Sequence, residues 1–194
     1  MNLRLALMLA LLPVQAHAQA FPADRIGAAA AGDWNGDGAP DLALVVKPPA
    51  DGDGDNALLI YLNKPDEARL EPVLSLPNFL WGSYVLYGQE PELAVLANGS
   101  LGIVTKNDSI GRDRWRQTLT VAYRNFDFVV AGYTFSAYDT IAEDDTGNRS
   151  RDCDLNVLTG KGKADGRPIA ASPGFVLLKD WKDEIGRKAC GYGE

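Results

Sequence analysis

The sequence predicts a mostly β protein, a single antiparallel β domain arranged as a curved sheet, a sandwich or a partial propeller-like stack of strands. Three observations predict it. Twenty glycines and 11 prolines punctuate the chain, and they separate apolar runs of about five to eight residues, as short strands joined by turns require. Helical pattern is scarce: residues 28–31 could form one turn of helix, but Gly27 and Gly32 bracket them and so short a helix cannot stand alone. No segment is long and polar enough to serve as a linker between two domains, so residues 19–194 are expected to fold as one.

The expected strands follow in order at 42–46, 57–62, 93–97, 101–105, 117–124, 126–138, 153–158 and 174–178. The first two flank Asp51-Gly52-Asp53-Gly54-Asp55, an acidic, glycine-rich stretch that reads as the tip of a hairpin. The run 126–138 places Phe126, Phe128 and Val130 on one face and Val129, Ala131, Tyr133 and Phe135 on the other. With both faces apolar, that strand belongs in the middle of a sheet, and Gly132 inside it fits a bulge or a close crossing. A tight turn near Arg124 and Asn125 joins it to the preceding strand as an antiparallel hairpin. Between 141 and 152 the chain turns polar, with Glu143, Asp144, Asp145, Gly147 and Asn148 marking a loop.

The first residues read as a secretory signal, with Arg4 as the charged start, an apolar run over 5–12 and Ala16-His17-Ala18 as a small-x-small cleavage site. Residues 1–18 are therefore set apart from the fold, and a periplasmic or secreted protein is expected. The apolar run is shorter than the ~20 residues of a membrane-spanning helix, and no later stretch of that length lacks charges. Cys153 and Cys190 are the two cysteines, and an oxidising compartment favours their pairing. A disulfide closing the 153–190 loop is worth about 4 kcal/mol if its effect is to restrict the unfolded chain.

Composition excludes several function classes. The single histidine is His17, inside the signal, which leaves no imidazole for proton transfer, nucleophile activation or zinc ligation. Carboxylate, lysine and hydroxyl chemistry remain. The net charge is −7, becoming more negative on loss of Arg4, so nucleic acid, which needs a basic field, is not an expected partner. Part of that acidity is better explained as cation ligation.

The segment Asp33-Trp34-Asn35-Gly36-Asp37-Gly38-Ala39-Pro40-Asp41 places oxygen-bearing side chains at relative positions 1, 3, 5 and 9, with glycine at 6. Calcium takes about six to eight oxygen ligands, and the backbone carbonyl of Ala39 at position 7 adds one. Gly38 allows the positive φ of the bend that wraps the chain. An EF-hand would continue to a Glu at position 12, where this chain has Leu44, inside an apolar strand. The loop instead runs from Asp41 directly into Leu42-Ala43-Leu44-Val45-Val46. Trp34, between two residues aimed at the ion, should face the opposite way, either anchoring the loop or offering a surface to a partner.

Asp-x-Asn-x-Asp-Gly-x-x-Asp followed by an apolar strand resembles the loops of FG-GAP or VCBS repeats found in integrin-type propellers and many exported bacterial proteins. The resemblance implies calcium held by Asp33, Asn35, Asp37, the Ala39 carbonyl and Asp41. It covers one repeat, to about Asn63, where Ile60-Tyr61-Leu62-Asn63 looks like the closing strand. A full β-propeller needs several four-stranded blades, which this length cannot supply. The segments Ser100-Leu101-Gly102, Arg114-Trp115, Phe126–Tyr133 and Asn156–Gly160 are also similar to a group of exported bacterial proteins of unassigned function that set one such loop before a β-rich segment.

The expected function is thus a calcium-stabilised structural or binding module without catalytic activity. Two alternatives stand beside it. One is a hydrolase using two carboxylates, as glycosidases do. The other is recognition of a sugar or protein through the aromatics Trp34, Trp81, Tyr84, Tyr87, Trp115 and Trp181, whose more ordinary use is core packing. The alternating Arg112, Arg114 and Arg116 read as the solvated face of an edge strand.

Overall fold

A computed structural model of the chain describes residues 23–85, 87–141 and 150–193. The signal expected at 1–18 and the acidic residues Glu143, Asp144 and Asp145 lie outside the described residues.

Among the described residues, eleven strands form two antiparallel sheets. The first sheet has the order β1-β2-β3-β4, with β1 at Ile26–Gly32, β2 at Asp41–Val46, β3 at Asn56–Lys64 and β4 at Arg69–Leu80. The second has the order β11-β10-β9-β8-β7-β6-β5, with β5 at Glu92–Val95, β6 at Leu101–Asn107, β7 at Asp113–Arg124, β8 at Asp127–Asp139, β9 at Arg151–Asn156, β10 at Lys161–Ala164 and β11 at Arg167–Ala170. Each strand pairs with its sequence neighbour, and neither sheet closes into a barrel. The mostly β, antiparallel expectation holds, and the fold is no propeller.

One apolar core serves both sheets. Ala43, Val45, Leu58 and Ile60 of the first sheet pack in the same cluster as Leu101, Ile103, Leu119, Val121 and Val130 of the second. Alternation along β3 and β7 sends these side chains inward and their neighbours out. A helical turn at Leu178–Asp180 and an α-helix, α1 at Asp183–Ala189, pack on the buried face of the second sheet. There Gly186 lies on the ring of Tyr133: a Cβ at Gly186 would come within 2.6 Å of Tyr133 Cζ. The disulfide Cys153–Cys190 ties β9 to the residue after the helix.

Several expectations need correction. Residues 28–31, for which no strand was expected, belong to β1, because β1 pairs along its length with β2 and that pairing overrides the helical propensity of alanine. Its small side chains allow close approach: a Cβ on Gly32 would lie 2.8 Å from Val95 Cγ2. The segment 174–178 is no strand. It makes one bridge, Val129 to Leu177, beside the part of β8 that β9 does not reach. Phe126 does not belong to the long strand either; it occupies the two-residue turn before β8, with φ of 65°, and is 93% exposed. Arg114 and Arg116 lie on an interior strand, since β7 sits between β6 and β8, and Arg112 directly precedes it; Arg112 and Arg116 are exposed as expected.

The bulge foreseen at Gly132 is present one residue away. Thr120 pairs with Gly132 and Val121 with Val130, leaving Ala131 extra. Gly132 keeps the crossing close, for a Cβ there would meet Thr120 at 3.2 Å.

Candidate functional site

The loop from Asp33 to Pro40 connects β1 to β2 and is shaped by its own carboxylates. Asp33 Oδ1 accepts the amides of Gly36 at 2.8 Å and Asp37 at 3.0 Å, and Oδ2 accepts that of Gly38 at 2.9 Å. Asn35 Oδ1 accepts the Asp37 amide at 3.0 Å, and Asp37 Oδ1 accepts the Ala39 amide at 2.8 Å. Successive Asx contacts of this kind curl the backbone around the first carboxylate. The curl needs positive φ at Gly36 (76°) and Gly38 (86°), which glycine supplies without steric cost. Sequence reasoning assigned that role to Gly38 alone.

Asp37 is held below the usual carboxylate range, first by the Ala39 amide and then by the Asn35 side chain, which donates to Asp37 Oδ2 at 2.7 Å. The charge of Lys64 acts in the same direction, while its ammonium is 3.3 Å from Glu71.

Asp41 differs from the other acids. It is 1% exposed, with Oδ2 accepting the Trp34 amide at 2.9 Å and Oδ1 the Asn63 amide at 2.9 Å. Asn63 also donates from its side chain to the Pro40 carbonyl at 3.1 Å. The carboxylate therefore joins the start of the loop, its end and the far end of β3, and among the described residues no cation pairs with it. Trp34 is the anchor of the two options left open by the sequence: it is 8% exposed, with its ring 6.4 Å from that of Phe128.

The five expected ligands thus stand in one loop, exposed at Asp33 and Asp37 and buried at Asp41. The donor set is entirely oxygen, which suits a hard cation such as calcium. Among the described residues no three His, Cys, Asp or Glu side chains form a cluster able to hold a metal by themselves, so an ion here depends on Asn35 and the Ala39 carbonyl as well as on the acids. Beside the loop lies a depression of about 250 Å³ walled by Asn35, Gly36, Gly99, Ser100 and Arg124.

The second acidic stretch lies elsewhere. Asp51, Asp53 and Asp55 follow Val46, the far end of the six-residue strand that Asp41 begins, about 17 Å along it, and they cannot share an ion with the loop. Their segment is the connection between β2 and β3, as expected, and Asp55 accepts the Gly82 amide at 3.1 Å.

Of the aromatics, Trp181 is buried, Trp81 and Trp115 pack on each other at 5.0 Å, and Lys47 lies over the Tyr84 ring. Tyr87 is 75% exposed. Sequence reasoning missed Phe126, the most exposed large apolar residue among those described, because its place in an alternating run concealed the turn.

Searches against protein-family models, curated proteins and solved structures found no match. No helix among the described residues is long and apolar enough to cross a membrane.

Proposed function

We propose that this chain is an exported calcium-binding β module in which the ion completes the Asp33–Asp41 loop and stabilises the junction of β1, β2 and β3. The observation that carries the reading is Asp41. Two amide donors offset only part of the cost of removing a carboxylate from water, and a divalent cation in the loop that Asp41 ends would supply the counter-charge. Asp33, Asn35, Asp37 and the Ala39 carbonyl are the remaining ligands, as in the FG-GAP or VCBS loops that the segment resembles. The disulfide Cys153–Cys190 is compatible with export.

Isothermal titration of the chelator-treated protein with calcium tests the reading. One site is expected, with affinity lowered at least about tenfold in Asp33→Asn/Asp37→Asn, since each lost carboxylate removes a charged ligand. Absence of binding heat together with an unchanged spectrum on calcium addition contradicts it.

A further inference from the structure

A trough crosses the outer face of the second sheet. Along β8, Thr134 and Ser136 point to that face, and their small side chains form the floor. On one side stands β7 with Thr118 and Arg116, paired in register with Thr134 and Ser136. On the other stands β9 with Asp154 and Asp152, paired with the same two residues. Lys163 of β10 lies opposite Asp154. These residues line a depression of about 370 Å³, within the range of small-ligand sites.

The charges of the trough are unevenly committed. Arg116 donates to Glu92 at 2.8 Å, so its charge is already answered. The carboxylates of Asp152 and Asp154 and the ammonium of Lys163 have no hydrogen bond or ion pair among the described residues, and all three are exposed. The free groups are therefore two strong acceptors, one strong donor and the hydroxyls of Thr118, Thr134 and Ser136. An anion would face two unanswered carboxylates, and a cation would face Lys163. An apolar ligand would strip water from all of them.

We infer that this trough binds a neutral oligosaccharide, whose hydroxyls can donate to Asp152 and Asp154 and accept from Lys163 and the threonines. Hydrogen bonds from hydroxyls to a carboxylate are charge-assisted and short, which favours a ligand rich in O–H donors. This site is separate from the calcium loop and uses polar groups rather than exposed aromatics.

The test is a neutral-glycan microarray, followed by amide chemical-shift mapping of the whole protein with its best hit. Spermidine and inorganic phosphate are titrated in parallel. The expected result is selective binding of neutral glycans, shifts centred on Thr118, Thr134, Ser136, Asp154 and Lys163, and affinity weakened about tenfold in Asp154→Asn, the loss of one charge-assisted bond. Lys163→Gln should weaken binding as well, while Asp66→Asn, exposed in the turn between β3 and β4, leaves it unchanged. These exposed positions carry little of the fold, and an unchanged melting temperature verifies that in each variant. The inference is overturned if no neutral glycan binds, if spermidine or phosphate alone moves the trough resonances, or if Asp154→Asn binds as the parent does.

Discussion

Asp41 accepts the Asn63 amide at 2.9 Å, and with the Asn63 side chain on the Pro40 carbonyl this contact fastens the entry of β2 to the far end of β3 beyond their paired residues. Its other oxygen holds Trp34, so a single buried carboxylate fixes both ends of the loop and seats the indole in the core. Asp41→Asn keeps the shape but presents an NH2 group to one of the two amides. Leaving that buried donor unanswered, and weakening the other bond from charged to neutral, should cost about 2 kcal/mol. Urea denaturation in chelator measures it, and an unchanged midpoint would contradict the assigned role.

Gly186 and Tyr133 offer a second test. With the Tyr133 ring 2.6 Å from the position of a Cβ, Gly186→Ala must displace α1 or the ring. Overpacking of this kind costs about 1–3 kcal/mol, more than the helix propensity gained by replacing glycine with alanine. Because the two residues touch, adding Tyr133→Leu should cost less than the sum of the single changes. Thermal unfolding of the three variants checks this, and additive losses would show that the contact is not the cause.

Phe126 should be replaceable with a gain. Asn125 and Phe126 form the two-residue turn between β7 and β8 with φ of 52° and 65°, the positive-φ pair of a type I′ turn, whose favoured sequence is Asn-Gly. A phenylalanine there is strained and, at 93% exposure, packs against little. Phe126→Gly should raise stability by about 1 kcal/mol. A fall in the denaturation midpoint would mean that the ring makes contacts that its exposure hides.

The parts of this fold that were legible in sequence are those where an apolar run and its flanking turn residues agree. Strands β2, β3, β6, β7 and β8 fall where apolar runs bounded by turn residues put them, and the orientation of Trp34 follows from its place between Asp33 and Asn35. The polyalanine of β1 carries no strand signal, and only pairing with β2 makes it one. In β4, Pro72 and Pro77 argue against a central strand; the sheet tolerates them because β4 lies at its edge. The hairpin of β10 and β11 did carry a signal, Asp165-Gly166 with φ of 49° and 74°. Its flanks, Lys161 to Ala164 and Arg167 to Ala170, lack the apolar alternation that would have called attention to it.

The candidate site divides in the same way. The ligand spacing of 33–41 can be read from one chain segment, because every group in it is local. The burial of Asp41 by Asn63, 22 positions away, and the trough assembled from β7, β8, β9 and β10 arise from strand register, which no local pattern in this chain specifies. The disulfide was legible by elimination, since only two cysteines are present.

The central claim is that calcium bound by the Asp33–Asp41 loop stabilises the native state, and the melting temperature in calcium against EGTA tests it most directly. At a hundredfold excess over Kd, a ligand bound only by the native state adds about 2.7 kcal/mol, a rise of roughly 5–10 °C for a chain of this size. The account predicts that rise in the parent and its loss in Asp33→Asn/Asp37→Asn. Identical melting temperatures in millimolar calcium and in excess EGTA would contradict it.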